Sequence, residues 1–165
     1  MYVISHITFS YSPDEDRISL LSGCLSGQRI CLWLTALLVR RLIPNLCELM
    51  SLHGVTQDLD EAASESNEDV ARKTPNSEPD STRPQDMPEF LVSAIDLAVT
   101  DVNFILTFRG KTPEEAAVFR VSLEASTKIV EALVACSEKA GWNCQTNRSE
   151  FGRTEHDLRK KITIH

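Results

Sequence analysis

Apolar side chains recur along the second half of the chain in steps of three and four, a spacing that predicts helices. Thr112, Pro113 and Glu115 have the form of an N-cap, a first helical position and the return partner of a T-x-x-E capping box. Val118, Val121, Ala125, Ile129, Ala132, Cys136 and Ala140 follow as one stripe, and Gly141 supplies a stop. The preceding segment carries Leu91, Ile95, Ala98, Val102 and Ile105 and ends at Gly110, so residues 87–141 read as an antiparallel helical hairpin. One stretch inside it has a second reading. In residues 100–109, Val102, Phe104, Leu106 and Phe108 alternate with Asn103, Thr107 and Arg109; as a strand, this stretch would turn the fold from mostly α to α+β.

Residues 2–9 (YVISHITF) suit a short strand or an apolar arm, and Ser10 to Asp16 a turn. From Ile18 to Val39 the chain is strongly apolar, peaking at Ile30 to Val39 (ICLWLTALLV). A membrane span needs about 20 apolar residues. The uninterrupted run is half that and follows Gln28 and Arg29, so a buried core helix is the expectation; a membrane span at Ile30 to Val39, with Arg40 and Arg41 on the cytoplasmic side, is the alternative. After Pro44, Leu46, Leu49, Met50 and Leu52 keep helical spacing as far as Gly54. Residues 1–54 are thus expected to form an apolar helical region.

The polar stretches change the picture next. Residues 55–86 are rich in Ser, Asn, Asp and Glu and interrupted by Pro75, Pro79 and Pro84, which predicts a disordered acidic linker with a short helix near Leu59 to Val70. Ten carboxylates against three basic residues between 55 and 89 account for the whole formal charge of -7. The rest of the chain sums to zero, so no basic face for duplex nucleic acid is indicated. Ser12, Ser66, Thr74 and Ser77 stand beside Pro or acids in the manner of kinase sites. Residues 142–165 read as a loop and basic tail: Trp142 folds back on the hairpin, Asn147 opens a glycosylation sequon, and Arg159, Lys160 and Lys161 form a short basic run.

Candidate chemistry is sparse. Cys24, Cys31, Cys47, Cys136 and Cys144 make no C-x-x-C pair, and most lie among apolar neighbours, as thiols do in a reducing compartment. Gly110-Lys111-Thr112 resembles the end of a phosphate-binding loop, but Ile105 stands where its first glycine belongs, which leaves a C-cap followed by an N-cap. His6, His53, His156 and His165 are scattered, and Glu155, His156 and Asp157 would point about 100° apart on a helix. No cofactor and no metal site is expected.

These features lead to an intracellular protein of cytoplasm or nucleus with no catalysis of its own, acting as an interaction or scaffold module through apolar helix faces. Phe119, Leu123, Val130 and Leu133 form a second apolar row on the hairpin, which needs a third helix from residues 30–53, from a partner protein or from a second copy. The competing readings are a regulatory or accessory fragment of a larger enzyme or transcription complex, a single-span membrane-anchored adaptor, and an independent enzyme whose reactive groups converge only in the fold.

Overall fold

The computed structural model describes residues 1–54, 87–144 and 162–165. The acidic linker, its kinase-type serines and threonine, the sequon and the basic run lie outside the described residues. Among those described, the chain is mostly β. In order come β1 (Tyr2–Ser12), β2 (Arg17–Cys24), β3 (Arg29–Leu34), α1 (Ala36–Leu52), β4 (Glu89–Leu91), β5 (Ala94–Val99), β6 (Asn103–Arg109), β7 (Ala116–Ser122), α2 (Leu123–Lys139) and β8 (Ile162–Ile164).

The expected mostly-α fold and its helical hairpin are therefore corrected, and the reason is local. Phe90, Val92, Ile95 and Leu97 are buried on one face of consecutive strand segments, as are Phe104, Leu106 and Phe108 on β6. This is a period of two in aromatic and branched residues. Ser93 and Ala94 break the phase of the first run, so the step from Val92 to Ile95 is three residues and imitates a helical repeat. The alternation in residues 100–109 is the real signal there. The capping-box residues do make their local bonds: Glu115 Oε2 accepts from the Lys111 and Thr112 amides at 2.7 and 3.4 Å, and Glu115 N–H donates to Thr112 O at 3.1 Å. They close the β6–β7 loop instead of a helix, because Ala117, Phe119 and Val121 alternate inward and β7 pairs with β6 and β1 on its two sides. The helix starts at Ser122, whose Oγ accepts from the Ala125 amide at 3.2 Å.

The N-terminal region is corrected likewise. The run Ile30 to Val39 is divided between β3, buried on both faces, and α1, with Thr35 as N-cap at the junction. Short apolar runs do not by themselves distinguish a two-sided strand from a core helix. Among the described residues no helix is long and apolar enough to cross a membrane. The second part of the region is helical as its spacing requires, with Leu46, Leu49 and Met50 buried. Pro44 sits inside α1, where its missing N–H faces the carbonyl of the exposed Arg40. At the far end of α2, Gly141 has φ +67°, Trp142 N–H donates to Ser137 O and Gly141 N–H to Glu138 O, the paired bonds of a Schellman stop.

The strand order is β4-β3-β2-β1-β7-β6-β5-β8, with β1–β7 and β3–β4 parallel and the other pairs antiparallel. β4 and β5 stand far apart in that order yet only Val92 and Ser93 separate them in the chain. Val92 N–H donates to Trp33 O beyond β4, and Ser93 N–H donates to Arg109 O at the end of β6. Residues 89–99 thus form one bent strand that joins β3 on one side to β6 on the other, and the sheet closes on itself.

The closed sheet has two matching halves. Each is a three-stranded antiparallel meander that runs straight into a 17-residue helix, β1-β2-β3-α1 and then 89–99-β6-β7-α2. The first strand of each half pairs in parallel with the third strand of the other, and each first strand carries a bulge just beyond that pairing, at Ser5 and at Ser93–Ala94. Both bulge serines cap the neighbouring strand, Ser5 Oγ donating to Gly23 O at 2.9 Å and Ser93 Oγ to Arg109 O at 3.1 Å. α2 packs on β1, β7 and β6, α1 on β5 and β8, and the helices pack on each other. Edge-to-face ring contacts of His53 with Phe104 and of Trp142 with Tyr11 place both helices on the apolar face, where one continuous core forms.

Leu133 lies at the centre of that core and is fully buried, whereas Leu37 on α1 is exposed. Leu133→Ala should cost about 2 to 5 kcal/mol in urea unfolding and Leu37→Ala no more than about 0.5. Equal small effects would contradict this packing.

Candidate functional site

The four residues of the second apolar row are used within the chain itself. Val130 and Leu133 are buried between α2 and the rest of the core, Phe119 is buried on β7, and Leu123 is half-buried in the first turn of α2. They share one layer of the core and present no continuous exposed row. The expected third helix does not arise, because the described residues hold two helices and Phe119 lies on a strand; α1 (Ala36–Leu52) packs directly on α2.

Three polar clusters bring together the hydroxyl, carboxylate and imidazole groups that could carry chemistry. The first is on the outer sheet face, where Thr163, Asp96 and Thr107 share a register row across β8, β5 and β6. The Asp96 side chain is only 4% exposed; it accepts from Arg109 Nε at 2.7 Å, lies 2.6 Å from Arg109 Nη2 and accepts from Thr163 Oγ1 at 2.7 Å. A carboxylate held on both oxygens by donors ties β8 to the sheet.

The second is the β1 bulge. The His6 ring lies over Gly23, so closely that any side chain at Gly23 would meet it, and His6 Nδ1 is 3.1 Å from Ser5 Oγ. A serine beside a histidine suggests an activated nucleophile, but the Ser5 proton is given to Gly23 O. His6 Nδ1 then has to donate to Ser5, the wrong sense for a general base.

The third pins α2 to the β1–β2 hairpin. Asp16, in the left-handed region at φ 47°, accepts from Tyr11 Oη at 2.9 Å and from Trp142 Nε1 at 3.2 Å. The bond to this carboxylate, followed by burial, raises the Tyr11 phenol above its ordinary value. Trp142 meets this β-hairpin through Asp16 and Tyr11, not the helical hairpin on which it was expected to fold back.

The remaining candidates resolve into structure. In the anion-loop fragment Gly110-Lys111-Thr112 the Lys111 and Thr112 amides donate to the Glu115 carboxylate, a negative charge where a phosphate would sit, and the Gly110 amide donates to the Glu115 carbonyl. His53 closes α1, its N–H donating to Leu49 O and Met50 O. Cys24, Cys31 and Cys136 are buried thiols and Cys47 and Cys144 half-buried ones; burial raises Cys24 and Cys136 and so disfavours their thiolates. Among the described residues no three His, Cys, Asp or Glu side chains are placed to hold a metal ion.

Sequence reasoning missed an exposed apolar cluster. Met1, Val3 and Leu25 are 78%, 39% and 73% exposed, and Leu25 N–H donates to Val3 O at 2.9 Å, which holds the β2–β3 loop against the start of β1. Val118 of β7 stands beside Val3 in the parallel register. Residue type alone could not reveal this, since each of these residues is as suitable for a core as for a surface.

No protein-family model, no curated protein and no solved structure matches this chain.

Removing the cation from the first cluster tests its role. Arg109 is 53% exposed, so Arg109→Met should cost about 2 kcal/mol in urea unfolding, below the 3–5 of a fully buried pair. Asp96→Asn in the same background should recover part of that loss by removing the stranded charge. An unchanged stability in Arg109→Met would show that Asp96 does not depend on this partner.

Proposed function

We propose that this chain is a protein-binding module with no catalytic centre of its own, acting in a reducing compartment. The observation that carries this reading is the exposure of Met1, Val3 and Leu25, three large apolar residues brought to one end of the closed sheet by the Leu25–Val3 main-chain bond and the adjacency of Met1 and Val3 in the chain. Contiguous apolar surface in contact with water is unfavourable by roughly 25 cal/mol per Å² and is characteristic of surfaces that another protein covers. Gln28 and Arg29 stand next to it on the loop and on β3, a polar rim beside an apolar centre. This reading puts the proposed binding surface at the sheet end, because the helix faces are used in the chain's own core. The free thiols support the compartment, since none of the five cysteines is bridged and three are buried.

Leu25→Asp places a charge at the centre of the cluster on an exposed loop, so the fold should survive with stability within about 0.5 kcal/mol of the parent. The expected result is loss of association, read in two ways: sedimentation for self-association, and crosslinking in cells from a photoreactive side chain at position 25 for a different partner. A chain that neither self-associates nor crosslinks to any protein from position 25 would refute the reading.

A further inference from the structure

The two halves of the sheet differ in one respect. In the second half, the edge of β5 that faces away from β6 is covered by β8, with Ile95 opposite Ile164, Asp96 opposite Thr163 and Leu97 opposite Ile162. The matching edge in the first half belongs to β1. Counting from the two bulges, Ile7 corresponds to Ile95 and Phe9 to Leu97, and their partners Ser22 and Leu20 on β2 correspond to Phe108 and Leu106 on β6. Ser19 Oγ donates to Ser10 O, which places the Ser10 carbonyl on the β2 side. With a strand period of two, the main-chain groups of Ile7, Phe9 and Tyr11 point the other way, towards the open edge.

That edge is bounded at both ends. Below, Tyr2 to Ile4 pair with β7; above, the Tyr11 ring meets Trp142 edge-on just past the end of α2, which packs on β1. Between these limits no strand pairs with Ile7 and Phe9 among the described residues, and their side chains are only half-buried where Ile95 and Leu97 are fully buried. The gap is about as long as the three-residue β8.

We propose that the β1 edge at Ile7–Phe9 is a docking slot for one extended segment of a partner protein, bound antiparallel as an added strand. The segment has the pattern of β8, two apolar β-branched residues facing the core on either side of a polar one. The chemistry that recognises it is present at the equivalent position of the same molecule, where Ile162 and Ile164 turn inward and Thr163 outward. Main-chain bonds give such a complex its affinity and the alternate side-chain positions its specificity. An uncovered strand edge is a hazard unless it is managed, and here the bulge at Ser5 and the contact with α2 restrict it to a short length. The slot shares with the binding-module reading only the class of ligand, and does not use Met1, Val3 or Leu25.

The probe is a synthetic peptide with this chain's own sequence KKITIH, added to the full chain while backbone amides are followed by NMR and hydrogen exchange. Ile7 and Phe9 should shift and gain protection, while Thr8 and Ser10 stay as they are. Methylating the peptide nitrogen of the second isoleucine removes a bond into the slot and should weaken binding about tenfold, whereas methylating that of the threonine should weaken it less than about threefold. The same titration of Leu25→Asp should give the same result, so failure of the slot and failure of the apolar cluster are separately readable. No protection at Ile7 and Phe9, equal effects of the two methylations, or changes confined to Ile95 and Leu97 would overturn the proposal.

Discussion

The fold depends on one bent stretch of backbone, residues 89–99, satisfying two strands that lie far apart in the sheet. Val92 N–H goes to Trp33 O and Ser93 N–H to Arg109 O, so the hydrogen-bond ladder passes from β3 to β6 across a single peptide step. A straight strand could not do this while keeping apolar residues inward on both sides of the bend. The bulge at Ser93–Ala94 inserts the extra residue that turns the strand and restores the inward phase at Ile95. Closure also leaves little unpaired edge on a sheet whose core face is made of Phe, Leu and Ile.

The same devices serve both halves. A bulge serine caps the adjacent strand in each, a hydroxyl residue caps each helix, and each helix crosses to pack on the first strand of the other half. The shared apolar layer follows from that crossing, with α2 packing both on β1 of the other half and on β7 and β6 of its own. The polar clusters occupy the places where this arrangement needs fastening: Asp96 holds β8 through Thr163 and Arg109, and Asp16 holds the end of α2 through Trp142. Their hydrogen bonds are spent on architecture.

Part of this was legible in the sequence. Gly141 ends a helix, Trp142 returns to the fold, Leu46 to Met50 lie on one helical face, and the alternation from Asn103 to Arg109, the second reading of a stretch expected to be helical, is a strand. The rest was concealed by physical coincidences. A bulge turned a period of two into a step of three near Val92; a T-x-x-E sequence made its capping bonds in a hairpin loop; and an apolar run combined a two-sided strand with the first turn of a helix. Phe119, Leu123, Val130 and Leu133 read as one row on a helical hairpin, whereas Phe119 lies on β7 and the other three on α2, all turned towards the core of the same chain. The exposed cluster at Met1, Val3 and Leu25 and the open edge of β1 depend on which strands become neighbours, and no local pattern encodes that.

Closure of the sheet is tested most directly by the short interproton contacts across residues 89–99 in a nuclear Overhauser spectrum of the full chain. Cross-peaks from the Val92 amide to residues of β3 around Trp33, together with cross-peaks from the Ser93 and Ala94 amides to Arg109, are the result expected of one strand joining both sides. Contacts on only one side, with the other side free to exchange its amide protons with solvent, would mean an open sheet and would contradict the architecture on which the rest is built.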